Sequence, residues 1–243
     1  MEKKILYFAP HQDDELLNFG LDIANETEKN KDSVYVYLCT DGSSSGVRKA
    51  LNNQQTCTLH EGIHNFELSR EEFSKARDRE FMLSLEALGV KKENIHIFEN
   101  RAVDGSLKPN EAENFIIEAV KSFPPGTYIS VHTIAPYRKK PQQTDHEYLG
   151  LAAMKLFDEN IINEYKLIVE NPDLEFKSCD FPEIEFIKEG FTNVGKEKVV
   201  KASKAYKIWE PEKGFYAIGY HSVYDEFVNY LTFPDSYSII KSK

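Results

Sequence analysis

His11, Asp13 and Asp14 fall close together in the run Ala9-Pro10-His11-Gln12-Asp13-Asp14-Glu15. An imidazole and a carboxylate three positions apart suit zinc, or iron in its place. A second carboxylate between them is near enough to take a proton from a water held by that metal. Once a helix has begun, His11 and Asp14 lie one turn apart and can face one cavity. A catalytic zinc site keeps three protein ligands and one open position, and Asp145-His146 is the best candidate for the third. The residues alone leave a second explanation standing. Acidic residues at a helix start are common caps, and Asp-His is a frequent pair.

Stepping outward, residues 4–9 form an apolar run that reads as a strand buried on both faces, ending at His11. Ser33–Thr40 reads as a second strand closed by Asp41-Gly42, Ile95–Phe98 as a third, and Tyr128–Thr133 as a fourth. Between them, Ser69–Leu88 carries Phe73, Ala76, Phe81, Leu85 and Leu88 on one stripe, with Gly89 as its stop. Pro109–Ser122 reads as another helix, and Thr144 with Glu147 forms a capping-box pattern opening a helix that ends near Phe157. This alternation predicts an α/β fold with a doubly wound, mostly parallel sheet and helices on both faces. In such sheets, ligand sites lie beyond the strands' carboxyl ends.

Residues 43–66 show no period and read as a long functional or mobile loop. Beyond residue 160 the pattern weakens: strands are expected over Tyr165–Glu170 and Ile184–Lys188, a helix over Lys196–Trp209, and a strand or loop over Gly214–Val223. We read residues 1–243 as one domain, with an α/β core over 1–160 and a C-terminal elaboration over 161–243. Trp209, Phe215, Tyr216 and Tyr220 are expected to pack in the core rather than to form a sugar platform.

The net charge of -10 argues against nucleic acid or an anionic membrane as partner. No segment is long and apolar enough for a membrane span, and the N-terminus does not read as a signal peptide. Cys39, Cys57 and Cys179 are too few and too scattered for a disulfide framework or a cysteine metal knuckle. A reduced, cytoplasmic setting is the expectation.

Pro10-His11-Gln12-Asp13-Asp14-Glu15 resembles the (A/P)-H-P-D-D-E signature of the PIG-L/LmbE-like family of metal-dependent de-N-acetylases, and Thr144-Asp145-His146 resembles the end of its second signature, H-P-D-H. Thr40-Asp41-Gly42, the Arg77-x-x-Glu80 pair and Asp104-Gly105 also fall where that family has similar elements. The match is colinear over residues 4–158, and the last third is not clearly matched.

The resemblance implies a Rossmann-like fold with zinc on His11, Asp14 and His146, and Asp13 as general base. It further implies Asp145 as a residue holding a ligand in place, and removal of an N-acetyl or other small acyl group from an amino sugar conjugate. Arg77 is an implied substrate residue, and Asp104 and Asp41, each at an Asp-Gly turn beyond a strand end, are candidates to hydrogen-bond sugar hydroxyls. On the residues alone, Arg77 and Glu80 read equally as a solvated pair on the helix surface, and the two aspartates as ordinary turn formers.

Two positions depart from the family pattern. Gln12 replaces a Pro, which should alter only the rigidity of the turn. Gln143 stands where the family has an oxyanion-stabilising His; it can donate a neutral hydrogen bond but neither a charge nor a proton. Losing one such contact costs about 2.7–4 kcal/mol in the barrier, which makes His221, and less so His132, candidates to substitute. The basic run Arg138-Lys139-Lys140 could meet a phosphate or carboxylate, although such runs are usually solvated. The competing readings are an amidohydrolase on a non-sugar amide, and a metal- or ligand-binding module with weakened catalysis.

Overall fold

The computed structural model describes residues 2–136, 144–169, 187–190, 192–232 and 236–242. The first strand, β1 (Lys3–Ala9), lies between β2 (Val34–Thr40) and β6 (Tyr128–Ile134), parallel to both, with Leu6 opposite Tyr35 on one side and Val131 on the other. Being covered on both faces, it is apolar without alternation: Ile5 to Ala9 are all buried.

The pleat still sorts these side chains. Leu6 and Phe8 pack with Phe115 and Ile116 of α5 (Pro109–Lys121) and Leu149 and Leu156 of α6 (Thr144–Asp158). Ile5 and Tyr7 face the other way, onto Ile23 of α2 (Gly20–Asn30), Phe81 and Leu85 of α4 (Arg70–Leu88) and Val199 of α7 (Asn193–Ser203). Helices on both faces follow directly.

With β5 (Ile95–Ala102), β7 (Glu164–Val169), β8 (Ile187–Glu189) and β11 (Ser236–Ser242), the seven-stranded sheet runs β5-β2-β1-β6-β7-β11-β8. The strands through β7 are parallel, and β11 joins antiparallel to β7 and β8. Chain order reverses direction between β1 and β6, so this is the switch point where an open sheet leaves a crevice.

The helix over 69–88 forms as expected: Ser69 caps it in a capping box with Glu72, and Gly89 ends it at φ 94°. The aperiodic stretch 43–66 is not one loop. It folds into α3 (Val47–Asn52) and a minimal hairpin of β3 (Gln55–Thr56) and β4 (Ile63–His64), elements too short to impose a period. In place of the expected strand or loop at 214–223, β10 (Phe215–Tyr216) pairs with β9 (Trp209–Glu210) and is followed by the one-turn α8 (Ile218–Ser222). A further helix, α9 (Tyr224–Thr232), and the terminal strand β11 were not expected. Trp209 and Tyr216 pack with Phe66 beside the small Val47/Leu51/Phe73/Ile218 core, in line with the packing expectation.

Candidate metal centre

Three parallel strands deliver site residues at their carboxyl ends, β1 to His11–Asp14, β2 to Asp41 and β5 to Asp104, while Asp145 and His146 lie at the start of α6. His11 Nδ1 lies 3.2 Å from Asp14 Oδ2 and 3.2 Å from His146 Nε2, and His146 Nε2 lies 3.3 Å from that same Asp14 oxygen. Three ligands at zinc distances of about 2.0–2.1 Å with tetrahedral angles stand about 3.3–3.4 Å apart. The triangle fits a small divalent cation, and its two imidazoles and one carboxylate suit zinc or iron.

The His11 and Asp14 corners are held from behind. The other nitrogen of His11, Nε2, donates to Asp145 Oδ2 at 3.1 Å and lies 3.2 Å from Asp104 Oδ1, which leaves Nδ1 as the lone-pair nitrogen facing the triangle. Asp145 is in turn fixed by the backbone N–H groups of Gly105 (2.7 Å) and Leu107 (3.0 Å). Asp14 accepts from the His11 amide at 2.8 Å and from Asn18 Nδ2 at 2.8 Å. Burial pushes the Asp14 carboxyl up, but the His146 and His11 rings outweigh it and hold it well below the usual carboxylate range. For His11 burial lowers the pKa, and Asp104, Asp14 and Asp145 more than reverse that.

Asp13 stands beside the triangle at φ 122°, a backbone conformation that costs an L-residue about 1–3 kcal/mol. Its amide donates to Glu15 Oε2 at 2.9 Å, and the other Glu15 oxygen accepts from Tyr206 Oη at 2.6 Å. Its carboxylate meets Arg77 at 3.0 Å. Burial lifts the Asp13 pKa to about 6 against the pull of Arg77. Burial likewise lifts Glu15 to about 8.

Several expectations need correcting. Arg77 is not a solvated helix charge. It is buried, with hydrogen bonds to the Gly42 and Gln12 carbonyls as well as to Asp13. Glu80, also buried, accepts from the Ile218 and Gly219 amides at 2.7 and 3.0 Å. The C-terminal segment covers this side of α4, so the polar face became an interior one. Gln12 does more than change turn rigidity: fully buried, it donates to Asp78 at 2.8 Å, and Asp78 is held by Arg101 in a bidentate pair.

Asp41 organises its turn, accepting from the Ser43 and Asp104 amides. Asp104 reaches His11, as above. His221 is gathered with Cys57, His60 and His64 rather than with the triangle. His132 bonds Asp22 and Ser130 inside the sheet core. Gln143 and the run Arg138-Lys139-Lys140 lie outside the described residues. Asn18, Glu15 and Tyr206 carry no linear signal beyond their closeness to the motif or their place in an amphipathic stretch.

An open α/β sheet that brings two imidazoles and a carboxylate together at its switch point defines a protein built to hold a divalent metal. The chain belongs to the PIG-L family, described as GlcNAc-PI de-N-acetylase, whose pattern matches residues 6–157. That membership makes it an N-deacetylase, a hydrolase of amide carbon–nitrogen bonds. No curated protein matches the chain. Among solved structures it is similar to the zinc-inhibited form of teicoplanin deacetylase Orf2 (15% identity, 99% of this chain and 98% of that chain, TM-score 0.62). It is also similar to the A40926 pseudoaglycone deacetylase Dbv21 (16%, 98% and 97%, 0.59). A third is the N,N'-diacetylchitobiose deacetylase of Pyrococcus horikoshii (19%, 87% and 72%, 0.53). At these identities the likeness establishes the fold.

Proposed function

We propose that this chain uses zinc, held by His11, Asp14 and His146, to hydrolyse the N-acetyl amide of an amino sugar or its conjugate, releasing acetate and the free amine. The observation that carries the reading is the triangle of donor atoms with edges of 3.2–3.3 Å and Asp13 beside it. When bound, zinc supplies a Lewis acid for the acyl carbonyl and lowers the pKa of water.

The chain's own residues do the rest. Asp145 fixes the ring of His11 so that Nδ1 faces the cation. Asp13, steered by Arg77 and by the Glu15 contact to its amide, takes the proton of the attacking water and returns it to the leaving nitrogen. Gln143, immediately before α6, donates a neutral hydrogen bond to the developing oxyanion. The sugar substrate is supported by the family description and by the names of the similar deacetylases. Among the described residues no helix is long and apolar enough to cross a membrane. Cys39 and Cys57 are not in disulfides, which suits a reducing, cytoplasmic setting.

The test is acetate release from a panel of N-acetylated amino sugars, with metal measured in parallel. Asp13→Asn should keep its metal and lose about 10²–10⁴-fold in kcat, whereas His146→Ala should lose the ion of this centre together with its activity. An Asp13→Asn protein of undiminished activity overturns the assignment of the base. A metal-replete chain that releases acetate from no sugar overturns the substrate class.

A further inference from the structure

Outside this centre the fold assembles a second set of metal-binding side chains. Cys57, His60 and His64 come from the β3–β4 hairpin, and His221 from α8. One ligand atom from each lies within 4.8 Å of all the others. Cys57 Sγ stands 3.2 Å from His221 Nε2, and the Nε2 atoms of His60 and His64 stand 3.0 Å apart. A tetrahedron with three Zn–N bonds of about 2.0–2.1 Å and one Zn–S bond of about 2.3 Å has edges of about 3.3–3.6 Å, so small outward shifts of the two close pairs would make room for an ion.

The surroundings resemble those of a built site. His221 Nδ1 donates to the Ala217 carbonyl at 2.7 Å, and His60 Nδ1 faces the Glu61 carbonyl at 3.3 Å, so both rings present Nε2 as a lone pair to the cluster. The His60 ring stacks on Trp209 with centroids 3.4 Å apart. His64 is buried. The hairpin is closed by the Cys57 amide donating to the Gly62 carbonyl at 3.2 Å, which returns the chain so that Cys57 and His64 face the same point. Cysteine spacing does not reveal this group, because three of its four ligands are histidines and one of those, His221, is distant in sequence.

We propose that Cys57, His60, His64 and His221 form a second, closed zinc site that ties the β3–β4 hairpin to α8. Three imidazoles and a thiolate fill a tetrahedral shell and leave no open position, which is the composition of a structural rather than a catalytic centre. Binding releases the thiol proton, and the ion's charge is partly neutralised by the thiolate. The brace continues inward: the amides at the start of α8 hold Glu80, one turn along α4 from Arg77, which holds Asp13.

Cobalt distinguishes the two centres, because only this one contains sulfur. Metal-stripped full-length protein titrated with Co²⁺ should take up two equivalents and develop a near-ultraviolet thiolate-to-cobalt charge-transfer band. Cys57→Ala should lose the band and one equivalent, while the His11→Ala/His146→Ala double variant should keep the band and lose the other equivalent. Wild-type protein that binds cobalt without this band overturns the proposal, whether or not any variant folds. So does a band that persists undiminished in Cys57→Ala. Loss of the His11 site alone overturns only the metal assignment under the proposed function.

Discussion

The two nitrogens of His11 have separate duties, and Asp145 sets which one does which. Its carboxylate is anchored by the Gly105 and Leu107 amides and receives Nε2–H, so the ring can neither flip nor change tautomer without breaking a buried contact. Asp145→Ala should therefore weaken zinc binding by about 10–100-fold, measured by competition with a chromogenic chelator; unchanged affinity would show that Asp104 alone orients the ring. The proposed ligands and Asp13 were legible in the sequence because His11, Asp13 and Asp14 share one compact motif after β1 and His146 lies in a second at the start of α6. The inward course of Arg77 was not, because its partners Gln12, Asp13 and Gly42 come from other elements. Gln12 was misjudged for the same reason: its partners Asp41 and Asp78 come from other elements.

At the level of elements, α2 is tied to the sheet by a buried polar network. Asp22 receives His132 Nδ1 at 2.7 Å, Lys166 Nζ at 2.7 Å and Tyr7 Oη at 2.9 Å. Burial pushes the Asp22 carboxyl up, and the His132 ring and Lys166 ammonium more than offset this, holding it well below the usual carboxylate range. A carboxylate depressed in the folded state stabilises it at pH values above the unfolded pKa of about 3.9, and the contribution declines as pH falls below that value. Asp22→Asn, which removes the negative charge facing the buried His132 ring and Lys166 ammonium, should cost about 3–5 kcal/mol at neutral pH. In denaturant titrations the gap from wild type should narrow below about pH 4; a gap independent of pH would remove the electrostatic account. The strands and long helices here were legible from period and caps. The pieces over 47–64 and 215–222 were not, since elements of two to six residues are shorter than the periods that reveal them.

Across the whole molecule, one sheet joins the family-matched region to the rest of the chain. The parallel strands β1, β2, β5, β6 and β7 are extended by β11 and β8, and β11 pairs along the full length of β7, from Tyr237 opposite Val169 to Ser242 opposite Glu164. The sequence Ser236–Ser242 mixes three serines and a lysine with Tyr237, Ile239 and Ile240 and lacks a strict alternation, so its place in the sheet is set largely by its neighbours. Deleting residues 236–243 should expose the β7 edge and drive association, seen as high-mass species in size-exclusion chromatography with light scattering; a monodisperse, folded product would show that β11 is dispensable. The position of β11 also orders the protein's synthesis. Because it lies between β7 and β8, a nascent chain still lacking residues 236–242 on the ribosome has β7 made but its outer edge unpaired, and β8 has no neighbour to join. The α/β core can collapse early, while the sheet is completed only after those residues emerge, leaving an interval in which a chaperone or a second nascent chain can compete for the open edge.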